Sequence, residues 1–325
     1  MKSSTKLISI VAPVFCEEII IEETYRQLTG VLQAMDHYQY ELIFVNDGST
    51  DQTHSILKKI AERDHHLKVI SFSRNFGHQM AITAGIEKAR GHAVITIDSD
   101  LQDPPALIPQ MIELWEAGNE VVYAKRTERQ GETYFKKISA VFFYKFLNYL
   151  SNIEIPENTG DFRLLDRKVV DVINNLEEHN RFIRGLVSWV GYRQVAIEYV
   201  RQPRLAGKSK YSLGKMLRFA IDALLSFSNK PLRLALNLGF FSIVIAFLVL
   251  IYGLVMHWVG NTIRGWTSTL VTILFLGGVQ LFTVGIIGEY LSRMYDDLKG
   301  RPLYVIDEEL NFDSSAGEEN INQQP

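Results

Sequence analysis

Several familiar signals are missing from this sequence, and each absence excludes a class of protein. Cys16 is the single cysteine among 325 residues, which excludes a disulfide framework and a multi-cysteine zinc or iron–sulfur site. The net charge is only −3, so the chain is not a strongly basic nucleic-acid binder. A charged fraction of 22% excludes both wholesale disorder and a chain embedded entirely in a membrane.

Two nucleotide-binding fingerprints and one metal pattern are also absent. The sequence contains no G-x-G-x-x-G and no G-x-x-x-x-G-K-[ST], which disfavours dehydrogenases and P-loop enzymes. Its eight histidines show no H-x-x-x-H or Cys/His spacing, so we interpret them as structural or surface groups.

The first 130 residues alternate short apolar runs with amphipathic segments. The runs, rich in Val and Ile, cover 7–15, 41–47, 67–73, 93–100 and 120–126. The amphipathic segments lie near 17–35, 51–63, 78–89 and 105–117. This alternation predicts βα units and an α/β fold with a mostly parallel sheet.

Two long uncharged stretches follow later in the chain, at 234–255 and 266–287. At ~1.5 Å per residue, each is long enough as a helix to cross a hydrocarbon core of ~30 Å. The alternative is a pair of buried core helices. Because the connection between them is short, we predict a transmembrane helical hairpin with spans at about 232–256 and 266–288.

Basic residues flank this hairpin unevenly, and the positive-inside rule turns that asymmetry into an orientation. The connecting turn offers only Arg264. The outer flanks carry Lys215, Arg218, Lys230, Arg233, Arg293, Lys299 and Arg301. We therefore expect both termini and the soluble portion to lie in the cytoplasm, at the plasma membrane. No signal peptide is expected at the N-terminus.

Polar clusters follow four of the predicted strands, at 13–17, 46–49, 73–77 and 98–100. In open α/β sheets, ligands bind beyond the carboxyl ends of the strands. The last cluster begins the sequence Asp98-Ser99-Asp100-Leu101-Gln102-Asp103, in which carboxylates and an amide oxygen suit Mg²⁺ or Mn²⁺ bound beside substrate phosphates. The alternative is a turn with solvated acids.

A set of short motifs runs from about Leu7 to Tyr304. They are VAPVFCEE, VNDGSTD, SRNFGHQMA, DSDLQDPP, NTGDFRLLDR, RFIRGLVSWVGY, RLAGKSKY, ILFLGGVQL, GIIGEYLSR and RPLY. Taken together, these motifs resemble those of family-2 glycosyltransferases with a GT-A fold. The resemblance is strongest to polyprenyl-phosphate glycosyltransferases, the group of bactoprenol glucosyltransferases and dolichyl-phosphate mannose synthases. One departure is Cys16, where the family usually has Asn.

The resemblance implies a role for individual residues. Donor contacts would come from Pro13, Phe15, Glu17, Asp47, Asp98 and Ser99. The metal ligands would be Asp100, Gln102 and Asp98. Catalytic roles would fall to Asp161, Asp98 and Arg126, and the acceptor phosphate would be held by Arg204, Ser209 and Lys210. Asp161 has a simpler alternative, which is to cap a helix at 166–177 or to pair with Arg163, and the basic loop at 204–210 has the alternative of being merely solvated.

The same resemblance implies a domain organisation. A GT-A catalytic domain would cover 1–210, a juxtamembrane amphipathic helix 211–229, and the two transmembrane helices 230–292. Residues 293–325 would form a cytoplasmic segment. Its last part, 302–325, carries six acidic and no basic residues, which predicts a disordered tail. Another amphipathic segment, Lys136–Leu150, would lie either on the bilayer or against the core.

The implied activity is metal-dependent, inverting transfer of a sugar to undecaprenyl (polyprenyl) phosphate. A UDP-sugar is the expected donor, carrying glucose or N-acetylglucosamine, and the lipid-linked product would serve cell-envelope glycan modification. Expected partners are the lipid bilayer, a second copy of the chain, a flippase and a downstream transferase. Whether the acceptor is undecaprenyl or dolichyl phosphate is left open.

Three other functions compete with this interpretation. A processive polysaccharide synthase of the same fold would carry a Q-x-x-R-W motif, but no Arg-Trp pair occurs here. A non-catalytic membrane scaffold would not need its acids, yet Asp98, Asp100 and Asp161 are all present. A transporter is disfavoured by two spans joined to a large soluble portion.

Overall fold

The structure, a computed structural model, describes residues 5–127, 159–179, 181–200, 230–259 and 265–312. These residues belong to two compact units. One unit contains a β-sheet with its helices, and the chain enters it both before the apolar helices and again from Pro302 onward. The other contains the two long apolar helices.

The elements alternate along the chain as the apolar pattern predicts. The strands are β1 (Lys6–Val14), β2 (Tyr38–Asn46), β3 (Leu67–Phe72), β4 (Ala93–Thr96), β5 (Val121–Arg126), β6 (Thr159–Asp166), β7 (Gln194–Tyr199) and β8 (Ile306–Leu310). The helices are α1 (Ile21–Gln33), α2 (Thr53–Ala61), α3 (His78–Lys88), α4 (Ile108–Glu116), α5 (Arg167–Asn174), α6 (Ile183–Val190), α7 (Lys230–Trp258) and α8 (Trp266–Leu298).

The strands form one sheet in the order β7-β5-β6-β4-β1-β2-β3-β8. Pairs β1–β2, β1–β4, β2–β3 and β5–β7 are parallel, while β6 and β8 run opposite to their neighbours. The α/β fold with a mostly parallel sheet is therefore confirmed. Strand β1 is central, and its Ile8, Ile10 and Val11 are fully buried because helices cover the sheet.

The acidic segment after the hairpin differs from the prediction. Strand β8 pairs antiparallel with β3 at the sheet edge, where a disordered tail was expected. The reason is that its acids meet partners: Glu308 binds Lys58 at 2.7 Å, and Glu309 binds Lys88 at 2.7 Å. Residues 313–325 lie outside the described residues.

The two long helices contact each other and expose their apolar side chains. Leu236, Phe240 and Leu281 are 72%, 68% and 76% exposed. Both helices contain segments long and apolar enough to cross a membrane, at Lys230–Tyr252 and Phe275–Leu298. Such exposure does not fit the alternative of buried core helices.

Candidate active site

The predicted site residues meet at one edge of the sheet because of strand direction. The carboxyl ends of β1, β2, β4 and β5 face this edge. Strand β6 is antiparallel to both of its neighbours, so its first residues, 159–161, reach the same edge. The topology thereby brings Asp161 to the end of the sheet where Asp98 and Arg126 lie.

Asp161 is a buried carboxylate with three side-chain partners. Its Oδ2 accepts hydrogen bonds from His78 Nε2 at 3.1 Å and Gln79 Nε2 at 3.3 Å. Its Oδ1 forms an ion pair with Arg184 Nε at 3.2 Å. Burial alone would raise the pKa of Asp161, but the positive charges of Arg184 and His78 outweigh it and hold that pKa well below its usual range. The carboxylate therefore stays ionised at neutral pH.

Neither simpler alternative for Asp161 accounts for this arrangement. Helix α5 is capped by Asp166, whose side chain accepts from Lys168 N. Arg163 donates to the backbone oxygen of Gly160 at 2.9 Å, and its charge lowers the pKa of Asp161 less than the charges of Arg184 and His78 do.

Asp98 is the less satisfied of the two acids. Its Oδ1 has no hydrogen-bond donor among the described residues, and the nearest cation is His78 Nε2 at 3.5 Å. Burial, reinforced by the neighbouring carboxylates Asp103, Asp161 and Asp100, raises the pKa of Asp98 to about 6, although His78 opposes the rise. This end of the sheet thus concentrates negative charge.

His78 links the two acids, a position that differs from the structural or surface role expected of the histidines. Burial would lower the pKa of His78, but Asp161 and Asp98 raise it to about 9, so the imidazolium is the stable form at neutral pH. Gln79 and Arg184 also contact Asp161 without being predicted to do so. They lie in the motifs SRNFGHQMA and RFIRGLVSWVGY, but nothing in the spacing of these motifs predicts a contact with Asp161.

Arg126, predicted to have a catalytic role, is held by two buried residues, Tyr199 and Asp103. Its Nε donates to the Tyr199 hydroxyl at 3.0 Å, and Tyr199 donates to the fully buried Asp103. The guanidinium lies directly over Gly160, where an added Cβ would be 2.7 Å from Nη2. A larger residue at this position of the GDF sequence would have to displace the end of the Arg126 side chain.

The acidic loop fits a divalent cation by its donor chemistry. Asp98 offers a buried oxygen without a donor, and Asp100 and Gln102 add further oxygens on the same loop. Within the described ranges, no group of three or more His, Cys, Asp or Glu side chains is arranged to hold a metal. A cation here would have few protein ligands and would be completed by phosphate oxygens and water, as Mg²⁺ commonly is.

Pro13 and Ser99, two of the residues predicted to contact the sugar-nucleotide donor, bind each other. Ser99 Oγ donates to the Pro13 carbonyl at 2.9 Å, and the Ser99 carbonyl accepts from Thr24 at 2.7 Å. These bonds join the ends of β4 and β1 to helix α1. In this structure the Ser99 hydroxyl therefore supports the loop.

Asp47 is likewise occupied by its own surroundings. Its carboxylate accepts from Phe76 N at 2.7 Å, from Gly77 N at 3.0 Å and from the Asn75 side chain at 2.9 Å. Burial raises the pKa of Asp47 despite these bonds. The carboxylate holds the 75–77 loop, and its contact with the sugar-nucleotide donor remains a prediction.

The loop after β1 explains the departure at Cys16. Cys16 has φ +54°, a left-handed conformation that Asn adopts more easily than other non-glycine residues. The left-handed backbone therefore favours the asparagine that the family usually has at this position. Phe15 is 37% exposed beside it, and the Glu17 amide donates to Thr53 at 2.9 Å.

Three predictions cannot be placed. The acceptor-phosphate residues Arg204, Ser209 and Lys210 lie outside the described residues, as do the amphipathic segments 136–150 and 211–229.

Comparison with known sequences gives the same picture as the site. Residues 9–173 match Glycosyl transferase family 2, and residues 230–294 match the GtrB C-terminal hairpin. The chain is 50% identical to "Uncharacterized glycosyltransferase YkcC" of Bacillus subtilis, over 94% of this chain and 95% of the relative.

Two further relatives have more specific names. The "SfII prophage-derived bactoprenol glucosyl transferase" of Shigella flexneri is 45% identical over 92% of this chain and 97% of its own. The "Prophage bactoprenol glucosyl transferase homolog" of Escherichia coli is 43% identical over 92% of this chain and 98% of its own. The protein is a glycosyltransferase that belongs to family 2 and combines a GT-A-like domain with a GtrB-type helical hairpin.

Proposed function

We propose that this enzyme transfers glucose from UDP-glucose to a polyprenyl phosphate at the cytoplasmic face of the membrane. The observation that carries the proposal is the match to bactoprenol glucosyl transferases over 92% of this chain, whose residues 230–294 also match the GtrB C-terminal hairpin. N-acetylglucosamine is the second sugar to be tested, because the donor-facing residues alone do not distinguish the two.

The state of Asp161 fits a phosphate acceptor. A phosphate oxygen is already anionic at neutral pH, so its attack on the sugar needs no strong general base. Asp161, with its pKa held well below the usual range by Arg184 and His78, is a poor proton acceptor. Its role in our proposal is to orient the sugar and to stabilise positive charge that develops at the anomeric carbon.

The leaving diphosphate is assigned to the other half of the site. Asp98, Asp100 and Gln102 would hold a Mg²⁺ or Mn²⁺ ion that, when bound, neutralises the diphosphate. Arg126 adds a fixed positive charge, since Tyr199 and Asp103 restrain its guanidinium. Arg204, Ser209 and Lys210 remain our candidates for the acceptor phosphate.

Chain connectivity supports a two-span anchor. Strand β7 precedes the apolar helices and β8 follows them, yet both belong to one sheet. A chain that crossed a bilayer once would separate these strands, so the helices cross twice or not at all. The positive flanks then favour the cytoplasmic side.

The test is a donor screen with the full-length protein in detergent. Labelled UDP-glucose, UDP-N-acetylglucosamine and GDP-mannose are offered with polyprenyl phosphate and Mg²⁺ or Mn²⁺, and the lipid product is weighed by mass spectrometry. We expect glucosyl lipid from UDP-glucose. A lipid product from another donor alone would overturn the sugar assignment.

The metal assignment has its own arm in the same assay. Asp100→Ala is expected to lose transfer, whereas Asp307→Asn, an exposed acid on β8, is expected to keep it. Wild-type rates for Asp100→Ala in EDTA would remove the metal from the proposal.

A further inference from the structure

The side-chain amide of Gln79 lies between Asp161 and the first turn of helix α6. Its Oε1 accepts from Ile183 N at 3.0 Å, and its Nε2 donates to Asp161 Oδ2 at 3.3 Å. A backbone N–H can only donate, so the amide oxygen must face Ile183. The nitrogen is thereby directed at the carboxylate.

The contact with Ile183 matters because, within the described part of the chain, Gln79 supplies the side-chain acceptor for the first N–H of helix α6. Ile183 is the first helical residue, and the preceding Phe182 provides no side-chain hydrogen bond. The first N–H groups of a helix have no partner within it, and Gln79 satisfies one of them. The same amide thus binds the start of α6 and the active-site acid.

Helix α6 also carries the principal charge partner of Asp161. Arg184, one residue after Ile183, forms its ion pair with Asp161 Oδ1, while Gln79 binds Oδ2. One side chain therefore fixes both the carboxylate and the helix that presents its arginine. The bridge adds to the bond that Arg184 Nη1 donates to the Thr159 carbonyl at 3.2 Å, and both act on the position of Arg184 relative to Asp161.

A second link between the same helix α3 and the segment before α6 supports this arrangement. Glu87, two turns beyond Gln79, forms an ion pair with Arg181 Nη1 at 3.4 Å and accepts from the Tyr304 hydroxyl. Helix α3 thus holds the start of α6 at two points. Only the Gln79 link touches Asp161.

We infer that Gln79 is a positioning residue for the transfer reaction, holding Asp161 and Arg184 in register toward the donor sugar. The inference rests on the proposed function, since it assigns Gln79 an effect exerted through Asp161. Loss of the amide nitrogen should slow the sugar-transfer step and leave binding of the nucleotide itself unchanged.

Two variants separate the halves of the amide. Gln79→Glu keeps an oxygen for Ile183 N but places a carboxylate against Asp161, whereas Gln79→Met removes both bonds at similar volume. Gln110→Glu, an exposed glutamine on helix α4, is the matched charge control. Steady-state transfer, UDP affinity by calorimetry and the thermal midpoint are measured on the full-length protein in detergent.

We expect kcat to fall about tenfold or more in both Gln79 variants, with UDP affinity within about twofold of wild type. Gln110→Glu should match wild type. If Gln79→Glu keeps wild-type kcat and only Gln79→Met is slow, Gln79 merely caps helix α6 and the inference is wrong. Equal losses of kcat and UDP affinity would also overturn it.

Asp161→Asn distinguishes this inference from the proposed function. Inactive Asp161→Asn together with fully active Gln79→Glu would overturn the inference alone. Full activity of Asp161→Asn would remove the assigned role of Asp161, and the inference with it. Absence of transfer by the wild-type enzyme from every donor would overturn both proposals.

Discussion

The carboxylates of the site differ by their partners, and the partners set their chemistry. Asp161 is surrounded by His78, Gln79 and Arg184, which keep it ionised. Among the described residues, Asp98 Oδ1 has no hydrogen-bond donor, and the pKa of Asp98 is raised, so it gains most from a further positive charge. In our proposal, the Asp161 environment faces the sugar and the Asp98 environment faces the diphosphate.

A substitution at Gly160 tests whether transfer requires the Arg126 guanidinium in its present position. An alanine methyl at this position would displace the guanidinium, because the added Cβ would be 2.7 Å from Nη2. We expect Gly160→Ala to lower kcat/KM about 10- to 100-fold with an unchanged far-UV spectrum.

The control for that variant is Gly30→Ala in helix α1, where no atom lies within 4 Å of the added methyl. It should stabilise the protein by about 0.5–1 kcal/mol and keep full activity. Normal activity in Gly160→Ala would show that Arg126 is not needed in its present position.

Cys16 gives a prediction about stability. Its φ of +54° is costly for cysteine and easier for asparagine. Cys16→Asn should therefore raise the stability by about 0.5–1 kcal/mol, seen as a higher thermal midpoint. Cys16→Ala, which has the same backbone demand, should not. An equal response of both variants would contradict the backbone explanation.

At the level of elements, periodicity predicted β1 to β5 and the four helices between them within a few residues. It did not predict β6, because β6 is inserted antiparallel between β4 and β5, and this pairing becomes visible only in the folded sheet. The disorder predicted for the β8 segment from its acidic composition was wrong, because the lysines that pair with its glutamates lie about 220 to 250 residues earlier in the chain.

The site was divided in the same way. Asp98 and Asp100 could be found because they end a predicted strand. His78 could not, because its partners Asp98 and Asp161 become neighbours only after folding. A lone histidine has no spacing pattern to interpret.

Strand β8 supplies a pH-dependent prediction. Hydrogen bonding from Lys58, assisted by His54, lowers the pKa of Glu308. A lowered carboxyl pKa stabilises the fold above the ordinary value and loses that effect as the pH falls through the lowered one. Glu308→Gln should therefore reduce the thermal midpoint at pH 7, and the difference from wild type should begin to shrink below about pH 4 and vanish once the pH is below the lowered pKa.

The comparison variant is Glu113→Gln, an exposed glutamate on helix α4. It should show no difference from wild type at either pH. A Glu308→Gln deficit that persists unchanged into acid would mean that the charge of Glu308 is not what stabilises β8.

At the scale of the whole molecule, one sheet is built from segments on both sides of the apolar hairpin. Alkaline phosphatase inserted between α7 and α8 should be active in a bacterial host, and green fluorescent protein fused after the last residue should fluoresce. The reverse pattern would place the catalytic domain outside the cytoplasm and contradict the positive-inside assignment.

Glucosyl transfer to a lipid phosphate can be measured by following label from the nucleotide sugar into lipid. Purified enzyme is incubated with labelled UDP-glucose and polyprenyl phosphate, and label in the lipid phase is counted for wild type and Asp98→Asn. We predict labelled lipid that requires both substrates and Asp98. Label that remains in UDP-glucose, or is released only as free glucose, would contradict the account.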